Sequence, residues 1–456
     1  MMRPFTQEWI AEARALGGIS VPVTITMLAQ LIISAVETLV VARLGTTVLA
    51  GVTLALSIYF LVFLFALGVV TAVTPIAAQA RGRDDEEGVR LAGQHALWVG
   101  LTFSLPGAAL LLGLSLVLVI HDGGPEAKAA ADYLIGAVWG LPVWVCYVAV
   151  RSFAVATGRI SITTGIMLAT VPLHAGLTFW LVFGGFGLPP LGAMGAGMAY
   201  SLAAVLAWGL LIVIVRRSPA DVFSRSLSSP FTWEGRHFRK IVRLGLPFAC
   251  RIVLREGMLP AAAFIVAPFG PYAVSAHAVV GRIVDLFGVF SFGFSDAANA
   301  RVGIGIGAGK FRQARSAGWI SVQLSAGVNL LIAVVLLTEP TQLASWFLGN
   351  ADPTSVAAAV AVLPAAACIL FLVGIQSAIG GALSGMRDAN GPLLITIFGS
   401  WGVGLPVGFL LAHTIAVPVL GLWIGILLGA CATTGLYVLR LQLRLWRTQE
   451  THDTLR

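Results

Sequence analysis

The sequence predicts an all-α integral membrane protein with twelve transmembrane helices arranged as two parallel-repeat six-helix bundles. Three observations carry that prediction. Hydrophobic residues fill 58% of the 456 positions and charged residues only 11%, where a soluble chain carries roughly 25% charged residues. Twelve stretches are long and apolar enough to cross a bilayer. The second half of the chain restates the first.

A hydrocarbon core of ~30 Å needs about 20 mostly apolar residues per helix. Such stretches run over 19–42, 48–78, 93–120, 131–155, 160–184, 193–215, 246–268, 276–306, 316–338, 356–384, 393–415 and 419–439. Pro22, Pro106, Pro142, Pro172, Pro260, Pro364 and Pro406 fall inside them, which predicts tilted or bent helices whose freed backbone groups find partners on neighbouring helices. The N-terminal segment lacks a short apolar region followed by a small-residue cleavage site, so no removable signal peptide is expected.

Positive residues mark orientation. Arg81, Arg83, Arg90, Arg159, Arg216, Arg217, Arg236, Arg239, Lys240, Arg243, Lys310, Arg312, Arg387 and Arg440 fall in the even-numbered loops and the tail, whereas the odd-numbered loops carry only Arg43 and Lys128. Both termini are therefore expected in the cytoplasm. The net charge of +8 reports this bias; no RNA-binding signature, zinc spacing or basic arm points to nucleic acid. Cys146, Cys250, Cys368 and Cys431 lie in apolar runs without a CxxC and are expected to be small buried hydrophobes.

Pro22 corresponds to Pro247 (247 − 22 = 225), Gly82 to Gly309 (227), Gly158 to Gly385 (227) and Gly192 to Gly421 (229). The offset predicts an N-terminal bundle over 1–215, a basic cytoplasmic linker over 216–243 and a C-terminal bundle with a cytoplasmic tail over 244–456. An even number of helices per repeat makes the repeats parallel, a pattern that favours a transporter with a midplane cavity.

The segments SAVETLVVARLG (34–45), VTAVTPIAAQARG (70–82), RLGLPFACRIVLREG (243–257), SAHAVVGRI (275–283), ARVGIGIGAG (300–309), GGALSGMRDANGP (380–392), SWGVGLP (400–406) and GLWIG (421–425), taken in order and spacing, resemble the multidrug and toxic compound extrusion (MATE) family. The resemblance implies a V-shaped twelve-helix antiporter of the inner membrane. It would export small organic solutes, drugs or metabolites, in exchange for H⁺ or Na⁺, with no cofactor and no ATPase subunit, and as a monomer. A flippase for a lipid-linked oligosaccharide is the alternative within the same superfamily; such relatives often have helices beyond twelve. No clustered catalytic or metal constellation is visible, so an enzyme is not expected.

An ionisable side chain at the bilayer centre costs about 2.5–3.5 kcal/mol on insertion scales and asks for a reason. Thr26, Gln30, Ser34 and Glu37 are spaced 4, 4 and 3 apart, a polar stripe on one helical face, and Glu37 is an ion-coupling candidate. The alternative is a Glu that snorkels outward beside Arg43. In the resemblance Glu37 stands where many members have Asp. Glu256 falls where some members have a coupling carboxylate in the seventh helix, and Asp285 lies in the eighth. Arg251, Arg255 and Arg282, with Gln376 from the tenth helix, are expected to line the substrate cavity together with Gln30 and Ser34. The arginines depart from the family pattern. They either neutralise Glu256, Asp285 and Asp296 or form a wall that attracts anionic groups. Val373 stands where some relatives carry Asp, so a multi-carboxylate sodium site is not expected and proton coupling is favoured. His174, His277 and His413 read as structural histidines. Asp84, Asp85, Glu86 and Glu87 read as a solvated loop opening a helix.

Overall fold

The structure, a computed structural model, describes residues 7–121, 123–185, 187–217, 222–228, 232–348 and 353–453. Parts of the sequence-expected linker, 218–221 and 229–231, fall outside them. The helices in chain order are α1 Gln7–Ala42, α2 Thr46–Val70, α3 Val73–Gly82, α4 Glu86–Ile120, α5 Gly124–Ala137, α6 Gly140–Thr157, α7 Ile160–Phe183, α8 Gly192–Arg217, α9 Val222–Ser228 and α10 Gly235–Val266. There follow α11 Pro271–Gly307, α12 Phe311–Thr338, α13 Pro340–Leu348, α14 Pro353–Gly385, α15 Asn390–Thr396, α16 Leu405–Thr414 and α17 Pro418–Asp453. Twelve of the described helical spans are long and apolar enough to cross a membrane, in line with the sequence.

Two interruptions show how the backbone copes in an apolar setting. The fourth expected span is broken at Val138–Trp139, ahead of Pro142. Ser201 on α8 bridges the break: its hydroxyl donates to the Gly136 carbonyl at 2.7 Å and accepts from the Gly140 N–H at 2.9 Å. A neighbouring helix thus satisfies the groups that the break releases. Between α15 and α16 the chain winds as a π-helical turn over Ile397–Gly404, just before Pro406, whose missing N–H prevents the regular pattern.

Packing divides the chain into two compact units, residues 25–249 and residues 1–24 with 250–456. The first helix of each repeat is shared between the two units. α1 changes between Thr24 and Ile25, α10 between Ala249 and Cys250, and the two crossings are 250 − 25 = 225 residues apart. The repeat offset recurs in the turns. Gly45 and Gly270, again 225 apart, open α2 and α11 with φ of 110° and 103°, a region that only glycine enters at little cost.

In the first unit α5 and α8 approach closely: a Cβ on Gly197 would overlap the Tyr133 carbonyl oxygen. Small residues of this kind let membrane helices touch. Phe153 of α6 stacks on Phe223 of α9 at 5.6 Å between centroids. In the second unit α14 runs through the core, with Val362, Leu363, Ala366 and Leu370 packed among Val280, Ile283, Leu422 and Trp423. Trp423 donates its indole N–H to His277 Nδ1 at 3.2 Å, and His277 Nε2 pairs with the Leu259 carbonyl at 3.0 Å. Both ring nitrogens of His277 therefore serve the fold. The N-terminal part of α1 is tied in by Glu12, whose carboxylate accepts two hydrogen bonds from Arg301 of α11.

The cysteines correct one expectation. All four are free, and only Cys146 is buried; Cys250, Cys368 and Cys431 lie on the exposed surface. Around a membrane helix the apolar solvent is lipid, so an apolar run does not say which positions the protein itself covers.

Candidate functional site

Glu37 lies near the end of α1, inside the unit of residues 25–249, and is 1% exposed. The Tyr133 phenol of α5 donates to Glu37 Oε1 at 2.8 Å. The carboxylate does not snorkel; it turns inward, away from the exposed Arg43. Tyr59 and Tyr200 stand within its electrostatic reach, and their rings meet edge to face at 5.5 Å. Tyr200 also packs on Trp144 at 5.6 Å and on His174 at 6.1 Å. Glu37 is thus held in an aromatic pocket, with the Tyr133 phenol as its hydrogen-bond donor among the described residues.

The rest of the expected α1 stripe splits. Thr26 is buried and its hydroxyl meets that of Thr164 at 3.0 Å, Gln30 is half-buried, and Ser34 is exposed. The helical angle explains this: each four-residue step turns the direction by ~40°, which leaves Ser34 about 80° from Thr26, while Glu37 returns to about 20°.

In the other unit the charged residues gather on α10 and α11. Arg255 Nε and Nη2 both donate to Glu256 Oε1, at 3.0 and 2.7 Å, and the Arg255 guanidinium lies over the Phe292 ring at 4.6 Å. Asp285 sits in the field of Glu256, Arg282 and Arg255. The Arg255 side chain is 37% and that of Glu256 31% exposed. Arg251 is half-buried, its Nη1 filling the space beside Gly380. Arg282 and Asp285 are exposed and Asp296 is half-buried. Gln376 has its amide N–H groups committed to the Ala430 carbonyl at 3.0 Å and the Thr434 hydroxyl at 2.9 Å. It joins α14 to α17 and has only its carbonyl left to offer. Trp401, on the π-helical turn, donates to the Leu254 carbonyl at 3.0 Å and so braces α10 directly before Arg255.

Residues 22–180 and 247–410 both match the MatE family profile, together more than half of the chain, and the two matches begin 225 residues apart. The chain belongs to the MATE transporter family. It is similar to proteins named as probable multidrug resistance protein NorM, with 33% identity over 423 residues to that of Deinococcus radiodurans, covering 92% of each chain. The match to the Rhodopseudomonas palustris protein is 32% over 430 residues, 92% of this chain and 89% of that one. Among solved structures the fold matches the eukaryotic MATE transporter AtDTX14, with TM-score 0.85, 18% identity and coverage of 98% of this chain and 100% of that one. It also matches the Vibrio cholerae MATE transporter VcmN in the bent form, with TM-score 0.86, 20% identity and coverage of 97% and 99%. Membership of a transporter family agrees with the absence of an expected enzymatic constellation in the sequence.

Sequence reasoning missed several residues in this MATE chain. Arg151 of α6 and Arg301 of α11 are charged residues within expected spans, and the rule that singles out Glu37 applies to them equally. Arg151 is buried in the first unit. Tyr133 carries no such signal, because nothing in the primary structure says that its phenol reaches a carboxylate 96 positions away.

Proposed function

We propose that the protein exports organic solutes across the inner (plasma) membrane in exchange for protons, with both termini in the cytoplasm. The multidrug-resistance names of its relatives support the solute class, and the asymmetry of Lys and Arg between loops supports the orientation. The observation that carries the reading is Glu37: a carboxylate enclosed in a helical bundle, in contact with a phenol that offers a hydrogen. Sodium needs several oxygen lone pairs around it, whereas one carboxylate is enough to hold a proton.

Glu256 and Asp285 are the second protonation site in this scheme. Within their own unit Arg255, Arg251 and Arg282 balance that charge and present guanidinium groups to the solute, with the Gln376 carbonyl as a polar contact; Gln30 and Ser34 are the polar contacts proposed beside Glu37 in the unit of residues 25–249. Exchange follows when solute and proton compete for the same carboxylates: protonation of Glu256 weakens its hold on Arg255 and changes what the site attracts.

The test is transport of fluorescent organic dyes in proteoliposomes under an imposed pH gradient or Na⁺ gradient. Movement driven by the pH gradient, abolished by a protonophore and by Glu37→Gln, is expected. Movement driven by Na⁺ alone, or an unchanged rate in Glu37→Gln, overturns proton coupling at this site.

A further inference from the structure

α10 has 32 residues, about 48 Å at 1.5 Å per residue, against a hydrocarbon core of ~30 Å. The helix is thus longer than the apolar slab even when tilted, and its charged first turns are the part that extends beyond it. The first turns carry Arg236, Arg239, Lys240 and Arg243, spaced 3, 1 and 3 apart, so they form one stripe along the helix. All four are exposed, whereas Ile241, Gly245 and Phe248 turn inward. Among the described residues no ion pair engages Arg236, Arg239 or Arg243.

The stripe is rigidly mounted. Gln94 Oε1 on α4 accepts from the Thr232 N–H at 3.3 Å and from its hydroxyl at 3.0 Å, and Arg90 donates to the same hydroxyl at 3.2 Å. His95 Nε2 accepts from the Glu234 N–H at 2.9 Å, while its Nδ1 pairs with the Leu91 carbonyl at 2.9 Å. Trp233 packs on His95 at 5.7 Å and edge-on against Trp98 at 5.6 Å. Nearby carboxylates are engaged: Glu234 with His237 at 2.8 Å, Glu87 with Arg90, and Glu86 with Arg225 at 4.0 Å. Trp233, 58% exposed, and the exposed Trp98 and Leu246 border the stripe. Exposed indoles mark the interfacial level of a membrane protein, and exposed leucine marks the beginning of hydrocarbon.

We infer that the Arg236–Arg239–Lys240–Arg243 stripe is a docking surface for the phosphate groups of anionic phospholipids. A cluster of four cations at the end of a membrane helix attracts anionic headgroups, and the Thr232–Glu234 contacts with α4 hold it at their level. A stripe bordered by indoles and leucine faces lipid headgroups rather than a soluble polyanion. The inference is independent of the transported solute and of the coupling ion.

The experiment compares the thermal midpoint of the full chain in nanodiscs of phosphatidylcholine with that in discs containing equal moles of phosphatidylglycerol. A higher midpoint with phosphatidylglycerol is expected, diminished when salt rises from ~0.1 M to ~1 M and the screening length falls from about 10 Å to about 3 Å. The R236Q/R239Q/K240Q/R243Q variant loses most of that difference while keeping its midpoint in phosphatidylcholine. The charge-preserving R236K/R239K/R243K variant retains the difference, and glycerol phosphate in solution does not reproduce it. Equal midpoints in the two lipids, a lipid preference that survives in the quadruple glutamine variant, or a full shift with glycerol phosphate alone overturns the inference.

Discussion

Glu12 and Arg301, 289 positions apart, form a two-pronged ion pair, with Nε to Oε1 at 2.7 Å and Nη2 to Oε2 at 2.6 Å. The Glu12 side chain is 9% and that of Arg301 21% exposed, so neither charge is well solvated if the other is removed. Glu12→Gln or Arg301→Gln is expected to lower stability by on the order of 3 kcal/mol, through the charge left unanswered. Thermal unfolding in detergent measures it, and in a double-mutant cycle the pair should cost less than the two single changes added together.

Tyr133→Phe removes the one donor seen at Glu37 and leaves the ring in place. A hydrogen bond to a charged group contributes about 1.5–3 kcal/mol, so roughly a tenfold or larger change in the proton concentration needed for half-maximal transport is expected. The pH profile of dye transport reads it. A profile identical to that of the original protein would separate Tyr133 from coupling.

Gly197 links packing to that same contact. Gly197→Ala places a methyl against the Tyr133 carbonyl, and overpacking of this kind costs about 1–3 kcal/mol. The displacement of α5 should also weaken Tyr133–Glu37, so the variant is expected to lose transport more than its loss of thermal midpoint explains. Gly113→Ala, with nothing within 4 Å of the added carbon, is the control and should leave both readings unchanged.

Asp388 sits between α14 and α15 and accepts from Arg440 at 2.8 and 3.0 Å and from Arg444 at 2.9 Å. Burial alone would push its carboxyl up, but the two guanidiniums win and hold it below 3.8. A carboxyl lowered in the folded state adds stability that is complete above its unfolded value. That stability disappears as pH falls below 3.8 through the folded value. Thermal midpoints of the original protein should therefore drop in this acid window by more than those of Asp388→Asn. At neutral pH the variant is expected to be less stable by on the order of 2 kcal/mol, because the two partners are partly exposed and screened.

The spans were legible because twenty apolar residues in a row have few other uses, and the repeat because its punctuation recurs at a nearly fixed offset, as at Gly158 and Gly385. The polar stripe of α1 was legible as a stripe, yet helical drift puts Ser34 on its shoulder and Glu37 at its centre. Less could be read where the answer depends on a distant partner. The phenol at Glu37, the guanidinium at Glu12 and the Trp401 brace on α10 each join elements far apart in the chain. The three exposed cysteines show a different limit: hydropathy registers the absence of water and is silent about whether lipid or protein replaces it. The break at Val138–Trp139 had a local cue in Pro142, whereas the Ser201 bridge that makes the break tolerable did not.

The crossing of α1 and α10 from one unit to the other bears on how such a chain can be cut. A protease nick or an engineered split within 216–243 would leave each fragment without the helical segment that completes its own unit. Two co-expressed fragments would therefore have to trade those segments to become whole, and neither would mature alone.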